Sequence, residues 1–138
     1  MPFTQDEVDY LATQRLGRLA TVQPNGTLQV SPVGFSYNAD LGVIDISGYN
    51  MAASRKYRNI ADNGREAFVV DDIASVQPWR VRCLEIRGTG EAIEAPADSA
   101  AGMAGPIIRV HPQRIISFGL DKADVDPHLA TPNIRDAT

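Results

Sequence analysis

The chain is nearly without the groups that build disulfides and soft-metal sites. Of its 138 residues one is cysteine, Cys83, and two are histidine, His111 and His128. A single thiol excludes an intrachain disulfide and a zinc site of paired cysteines. Cys83 lies in an apolar strand pattern, where a thiol reads as buried and inert rather than nucleophilic. Two histidines with no other ligand cluster do not make a metal centre, so no metal is expected. Nor do they support a Ser-His-Asp arrangement, and no catalytic side chain is assigned. Basic charge is also short: 13 Lys and Arg stand against 17 Asp and Glu, a net charge of −4. That balance argues against a nucleic-acid partner. No apolar run approaches the roughly 20 residues that span a bilayer, which argues against a membrane partner. Met1-Pro2-Phe3-Thr4 lacks the basic and apolar regions of a signal peptide. A cytoplasmic protein is expected.

What is present suits one globular domain over residues 1–138. Apolar residues make up 43% and charged residues 22% of the chain, and the length is enough for a proper core. Thr4-Gln5-Asp6-Glu7 reads as a capping box, followed by Val8, Leu11, Ala12 and Leu16 at helical spacing, with Gly17 as the stop. Arg18–Val22 and Leu28–Tyr37 read as a hairpin across Gln23-Pro24-Asn25-Gly26, with Pro32 marking a bulge or a locally unpaired edge. Val43–Ser47 is a further strand and Ser54–Asn63 a second helix. Ala67–Val70 is an apolar strand ending at Asp71-Asp72. Trp79–Ala95 is long and alternating, with Gly88 and Gly90 as bend points. Ile107–Val110 and Ile115–Phe118 flank His111-Pro112, where a strand should end. From about residue 121 the chain shows no periodicity, and a loosely held tail is expected. Short antiparallel connections predict a mainly β (α+β) fold, a barrel with helices outside it. Gly88-Thr89-Gly90 neither continues to a third glycine nor opens a helix, so a dinucleotide fold is disfavoured.

Ser54-Arg55-Lys56, followed by Asn59 and Ile60, is the stretch richest in chemistry. Two cations, a hydroxyl and the free N–H groups of a helix start converge there, which suits a phosphate group. The basic residues do not spread into a stripe, so a phosphorylated cofactor fits better than a nucleic-acid backbone. The competing reading is a solvated surface, since the helix dipole mildly disfavours cations at this end. Arg58, three residues on, either reaches toward the same ligand or faces water. Arg80 and Arg82 share one strand face and call for an anion or a carboxylate partner.

The order of Leu16–Val22, the Pro-Asn-Gly turn, Ser31-Pro32-Val33-Gly34-Phe35, Ile44-Asp45-Ile46, Ser54–Ile60, Pro78-Trp79-Arg80-Val81-Arg82 and His111–Ser117 resembles the pyridoxamine 5'-phosphate oxidase-like split β-barrel family. Within it the chain is most similar to the actinobacterial branch that uses the deazaflavin coenzyme F420. The resemblance covers about residues 4–120. It implies a split barrel of antiparallel strands with two or three peripheral helices, and a homodimer with cofactor sites at its interface. It implies that Arg55 and Lys56 hold the cofactor phosphate with Ser54 as a hydroxyl donor. Ser31, Pro32, Val33 and Gly34, with Ile46, Ser47 and Gly48, would lie along the ring. Asn59 either joins the same cofactor site or caps or bridges backbone locally, and Trp79 and Arg80 of the second subunit would close the site.

The implied activity is hydride transfer between the deazaflavin and a small organic substrate, with the cofactor carrying the redox chemistry. The alternatives are a flavin mononucleotide (FMN)-dependent oxidoreductase of the same family, and a non-catalytic flavin, deazaflavin or haem binding or carrier protein. Oxidation of pyridoxamine phosphate itself is disfavoured. Only Arg109, His111 and Arg114 are candidates to hold a second phosphate.

Overall fold

The computed structural model describes residues 2–120 and 131–137. The chain folds in the order α1 (Gln5–Thr13), β1 (Leu16–Val22), β2 (Leu28–Asn38), β3 (Val43–Ser47), a 3-10 turn (Met51–Ala53), α2 (Arg55–Asn63), β4 (Arg65–Ser75), β5 (Arg80–Ile93), β6 (Ile107–Phe118) and β7 (Asn133–Asp136). The strands form one antiparallel sheet in the order β3-β2-β1-β4-β5-β6-β7. Pairing of β3 with β6 closes the first six into a barrel and leaves β7 outside it.

Alternation along the strands sends Leu19, Val33, Phe35, Ile44, Ile46, Phe68, Val70, Leu84 and Ile86 into one core. The Phe35 and Phe68 rings meet edge to face at 5.4 Å. The opposite face of β1 and β2 leaves Leu16, Leu28 and Val30 exposed.

The capping box at α1 is formed: Glu7 N–H donates to Thr4 Oγ1 at 3.2 Å, and Thr4 N–H donates to Glu7 Oε1 at 2.9 Å. The helix ends earlier than the glycine signal predicts, at Thr13 with Gln14 as cap. Gly17 lies inside β1 instead. A Cβ there would sit 2.3 Å from the Phe68 ring, so the glycine answers to core packing and not to helix termination.

β4 continues past the expected stop, because Asp72 is paired across the strands with Arg82. Pro32 lies in the half of β2 that has β1 alone as partner; β3 joins only from Gly34 onward. That is the unpaired edge expected there, and the missing N–H costs no ladder bond on that side.

The two short apolar runs around His111-Pro112 are one strand, β6. The register shifts at Arg87/Gly88, and Gly88 stands opposite Pro112. A Cβ on Gly88 would meet the His111 carbonyl oxygen at 2.0 Å. A glycine in one strand thus admits a proline into the middle of its neighbour.

Of the tail expected to be loosely held, residues 121–130 lie outside the described residues. Asn133–Asp136 pairs with β6, and Arg135 reaches back to α1. It donates to both oxygens of Glu7 and to the Pro2 carbonyl, and Ser117 Oγ donates to Glu7 Oε2 at 2.6 Å. Burial raises the Glu7 carboxyl, but the bonds from Arg135, Ser117 and the Thr4 N–H outweigh it and hold the group below its ordinary value.

Candidate functional site

α2 starts at a well-made cap. Ser54 Oγ accepts Tyr57 N–H at 3.3 Å and donates its own proton to the Met51 carbonyl at 2.6 Å. The hydroxyl therefore shapes the helix start. The N–H groups of Arg55 and Lys56 are left pointing out of the first turn, since neither has an intrahelical acceptor. Among the described residues, neither Arg55 nor Lys56 makes a side-chain hydrogen bond or ion pair. Arg55 and Arg58 are exposed and Lys56 is half-buried. Unpaired cations beside free amide donors are the chemistry an anionic group requires.

Asn59, one turn further on, turns the other way. It is fully buried, and its amide donates to Thr21 Oγ1 at 3.0 Å inside the barrel.

The β2–β3 segment forms a second part of the site. Gly34 and Ser47 are cross-strand partners, and both line an open cleft of about 630 Å³. Its other walls are one side of α1, ending in Gln14 and Arg15, and the loop Ala100-Ala101-Gly102-Met103. A Cβ on Gly34 would meet nothing within 4 Å, so a flat ligand can approach the backbone there. Val33 and Ile46 point into the core, so only their backbone can serve a ligand. Pro32 and Gly48 are exposed, while Ser31 keeps its hydroxyl buried without a partner. Six residues, 48–53, join Ser47 to Ser54.

The cleft wall at 98–103 is held by a buried ion pair that the sequence reading missed. Asp45 is fully buried and accepts Arg109 Nε at 2.8 Å, Asn38 Nδ2 at 2.9 Å and the Ala100 N–H at 2.8 Å. Arg109 also reaches the Asp98 side chain at 3.1 Å and its carbonyl at 3.3 Å. Burial pushes the Asp45 carboxyl up, but Arg109, Asn38 and the Ala100 N–H outweigh it and hold the group below its ordinary value. The signal available was Asp45 inside an apolar strand, with Arg109 as the sole cation in Ile107–Val110.

Trp79 and Arg80 lie at the β4–β5 hairpin and do not line the cleft. Trp79 is 55% exposed, and Ile73 and Val76 of the same hairpin region are exposed as well. Arg82, which the face argument paired with an unnamed anion, is taken within the chain. Asp72 holds it in a two-pronged bridge, and its guanidinium lies 5.0 Å from the centre of the Tyr10 ring.

The three candidates for a second phosphate are all engaged: Arg109 with Asp45, His111 with Glu91 and Arg114 with Asp136. Cys83 is half-buried, and burial pushes its thiol up to about 11, which agrees with an unreactive thiol. Among the described residues no cluster of three or more His, Cys, Asp or Glu could hold a metal. No described helix is long and apolar enough to cross a membrane.

Comparison with known proteins agrees with this geometry. A family model described as pyridoxamine 5'-phosphate oxidase matches residues 3–126. The chain is 43% identical, over 88% of its length and 86% of the relative's, to a 5a,11a-dehydrotetracycline/5a,11a-dehydrooxytetracycline reductase of Streptomyces rimosus subsp. rimosus. Among solved structures it is similar to one named F420 reductase, with 30% identity, a TM-score of 0.53, and coverage of 71% of this chain and 86% of that one. It also shares its fold with a putative pyridoxamine 5'-phosphate oxidase from Corynebacterium glutamicum. That likeness has 18% identity and a TM-score of 0.59, over 87% and 93% of the two chains. The split barrel, the family match along most of the chain and the named reductase converge: this chain belongs to the pyridoxamine 5'-phosphate oxidase family and is an oxidoreductase.

Proposed function

We propose that this oxidoreductase is a homodimer that binds coenzyme F420 and reduces an unsaturated or carbonyl-bearing small molecule in the cleft between α1 and the β2–β3 edge. The observation that carries the reading is the pair Arg55 and Lys56, without side-chain partners among the described residues, at a capped helix start six residues from the cleft floor. Support for the deazaflavin over FMN comes from the 30% identical F420 reductase.

When bound, the deazaflavin supplies the hydride. The chain's own residues grip, orient and exclude water. Arg55 clasps phosphate oxygens with its planar fork, Lys56 adds a point charge, and the two N–H groups of the first turn complete the cradle. The backbone at Gly34 and Ser47, which lines the cleft, would lie along one face of the ring. A volume of about 630 Å³ falls within the range for small-molecule sites. It suits a polycyclic substrate of the kind named for the 43% identical relative.

The homodimer rests on a second feature. Leu28 is 75% and Val30 66% exposed on the outer sheet face, and Trp79 stands clear of its own chain's cleft. A second copy covering that face brings a hairpin, with Trp79 and Arg80, to a neighbouring site.

The test is a titration of the protein with coenzyme F420 and, separately, with FMN, followed by Trp79 emission. Micromolar quenching by the deazaflavin and weak response to FMN are expected. The double variant Arg55→Ala/Lys56→Ala should keep its circular dichroism and lose binding. Each lost charged contact is worth about 1.5–3 kcal/mol, or roughly 10- to 150-fold. Unchanged affinity in the double variant removes the anchor; tighter binding of FMN than of F420 replaces the cofactor.

A further inference from the structure

Below α2 lies a polar cluster that plays no part in the grip described above. Thr21, on the inner face of β1, is flanked across the sheet by Gln29 of β2 and Glu66 of β4. Its hydroxyl accepts the Asn59 amide at 3.0 Å and donates to Gln29 Oε1 at 2.8 Å. Asn59 belongs to α2, one turn from Arg55, so this chain of bonds ties the helix to the barrel interior. It stops short at one end. Asn59 Oδ1 is buried without a donor, and both oxygens of Glu66 are buried without one. Gly88, the partner of Glu66 on β5, brings no side chain into that space. Two buried acceptor groups beside the same threonine, each lacking a donor, are costly while both remain acceptors only. One proton on Glu66 changes that, because a carboxylic acid is a donor.

We propose that Glu66 is a neutral carboxylic acid whose O–H bonds Asn59 Oδ1, and that this bond makes Glu66 a positioning residue for α2 and for the cations at its start. Burial alone sets the acid, raising the carboxyl to about 8; the Gly88 N–H opposes the shift from outside hydrogen-bond geometry, and no charged side chain contributes.

The charged groups on the surrounding elements are paired elsewhere, exposed, or at the first turn of α2. On β1, Arg18 pairs with Asp71; on β5, Arg87 pairs with Glu85 and Glu91 with His111. On α2, Arg55, Arg58 and Asp62 are exposed, Lys56 is half-buried at the first turn, and Tyr57 is influenced by Glu94. On β4, Arg65 is exposed, and β2 carries no ionisable group in the pairing region around Gln29.

Three measurements test this, and only the last depends on F420 being the ligand. The infrared difference between the protein and Glu66→Gln at about pH 6 should contain the carbonyl stretch of a protonated acid, fading as pH rises through about 8. A carboxylate band at pH 6 overturns the proposal; it would mean the Asn59 amide is flipped and donates to an ionised Glu66. Amide hydrogen exchange in α2, compared at equal pH above 8, should be faster in the wild type than in Glu66→Gln, whose amide still donates. Equal exchange overturns the positioning role. Coenzyme F420 affinity of the wild type should fall about two- to tenfold from pH 7 to 9.5, the size of one neutral hydrogen bond, while Glu66→Gln stays flat. Parallel loss in both proteins overturns the link to the grip. Failure of either protein to bind F420 at any pH, with the first two results as expected, overturns the phosphate reading of α2 and leaves the acid–helix bond supported.

Discussion

Replacing Asp45 with asparagine should cost far more than a one-atom change suggests. The carboxylate has no exposure and receives four donors: Arg109 Nε and Nη2, Asn38 Nδ2 and the Ala100 N–H. An amide keeps one acceptor oxygen and turns an NH2 group toward donors. At least one of them then loses its bond, and the one carboxylate left to Arg109 is Asp98, which is itself 60% exposed. Breaking one partner of a buried pair costs about 3–5 kcal/mol, and an Asp45→Asn chain should lose that much. Urea denaturation at pH 7, comparing midpoints at constant slope, measures it.

The sign of the pH effect follows from the depressed carboxyl. Its contribution is present above the unfolded value near 3.8 and is lost as pH falls through the lower folded value, so the two proteins should begin to converge only below about pH 4. The same bonds hold Asp98 and Ala100, so the variant's cleft wall should loosen, raising KM more than it lowers kcat. A loss below about 1 kcal/mol at pH 7 would refute the reasoning, because that is the size of a neutral surface contact and not of a buried pair.

Other outcomes are as definite. Val30→Glu, on the outer sheet face, should convert a homodimer to monomer in size-exclusion chromatography with multi-angle scattering, and should weaken F420 binding through loss of the partner hairpin. A monomeric wild type would remove the homodimer. Gly17→Ala places a methyl against the Phe68 ring and 3.1 Å from the Val69 carbonyl oxygen, and should cost about 1–3 kcal/mol in chemical denaturation. No loss there would mean the ring can swing away freely.

Much of the barrel was legible because each strand carries its own alternation and each turn its own residues. The Thr4/Glu7 capping box and the Pro-Asn-Gly hairpin are local signals, and local signals survive without knowledge of the fold. The failures are all long-range. Asp71-Asp72 reads as a strand end until Arg82, ten residues on, is placed opposite. Pro112 reads as a strand end until Gly88 is found facing it. Asn133–Asp136 has no period of its own, and it becomes a strand because Arg135 has Glu7 to reach.

In the site, the cations of α2 and the Gly34 and Ser47 backbone could be singled out by residue type. The Asp45–Arg109 pair and the α1 wall could not, since Asp45 and Arg109 are 64 positions apart and meet only across the β3–β6 closure. Ser31 and Asn59 show the converse. The family resemblance named both for the cofactor site, while strand parity and helix face turn both side chains inward.

The connection between Ser47 and Ser54 acts as a ruler. The cleft floor and the proposed anion grip belong to one uninterrupted piece of chain, so the seven Cα steps from Ser47 to Ser54 limit their separation to at most about 25 Å. Any molecule that fills both must carry its flat portion and its negative handle on a tether of matching length. Reshaping the 100–103 wall changes which partner fits over the flat portion and leaves that spacing alone. Descendants of such a chain could acquire new chemistry by editing a few small residues there, with the proposed coenzyme grip left as it is.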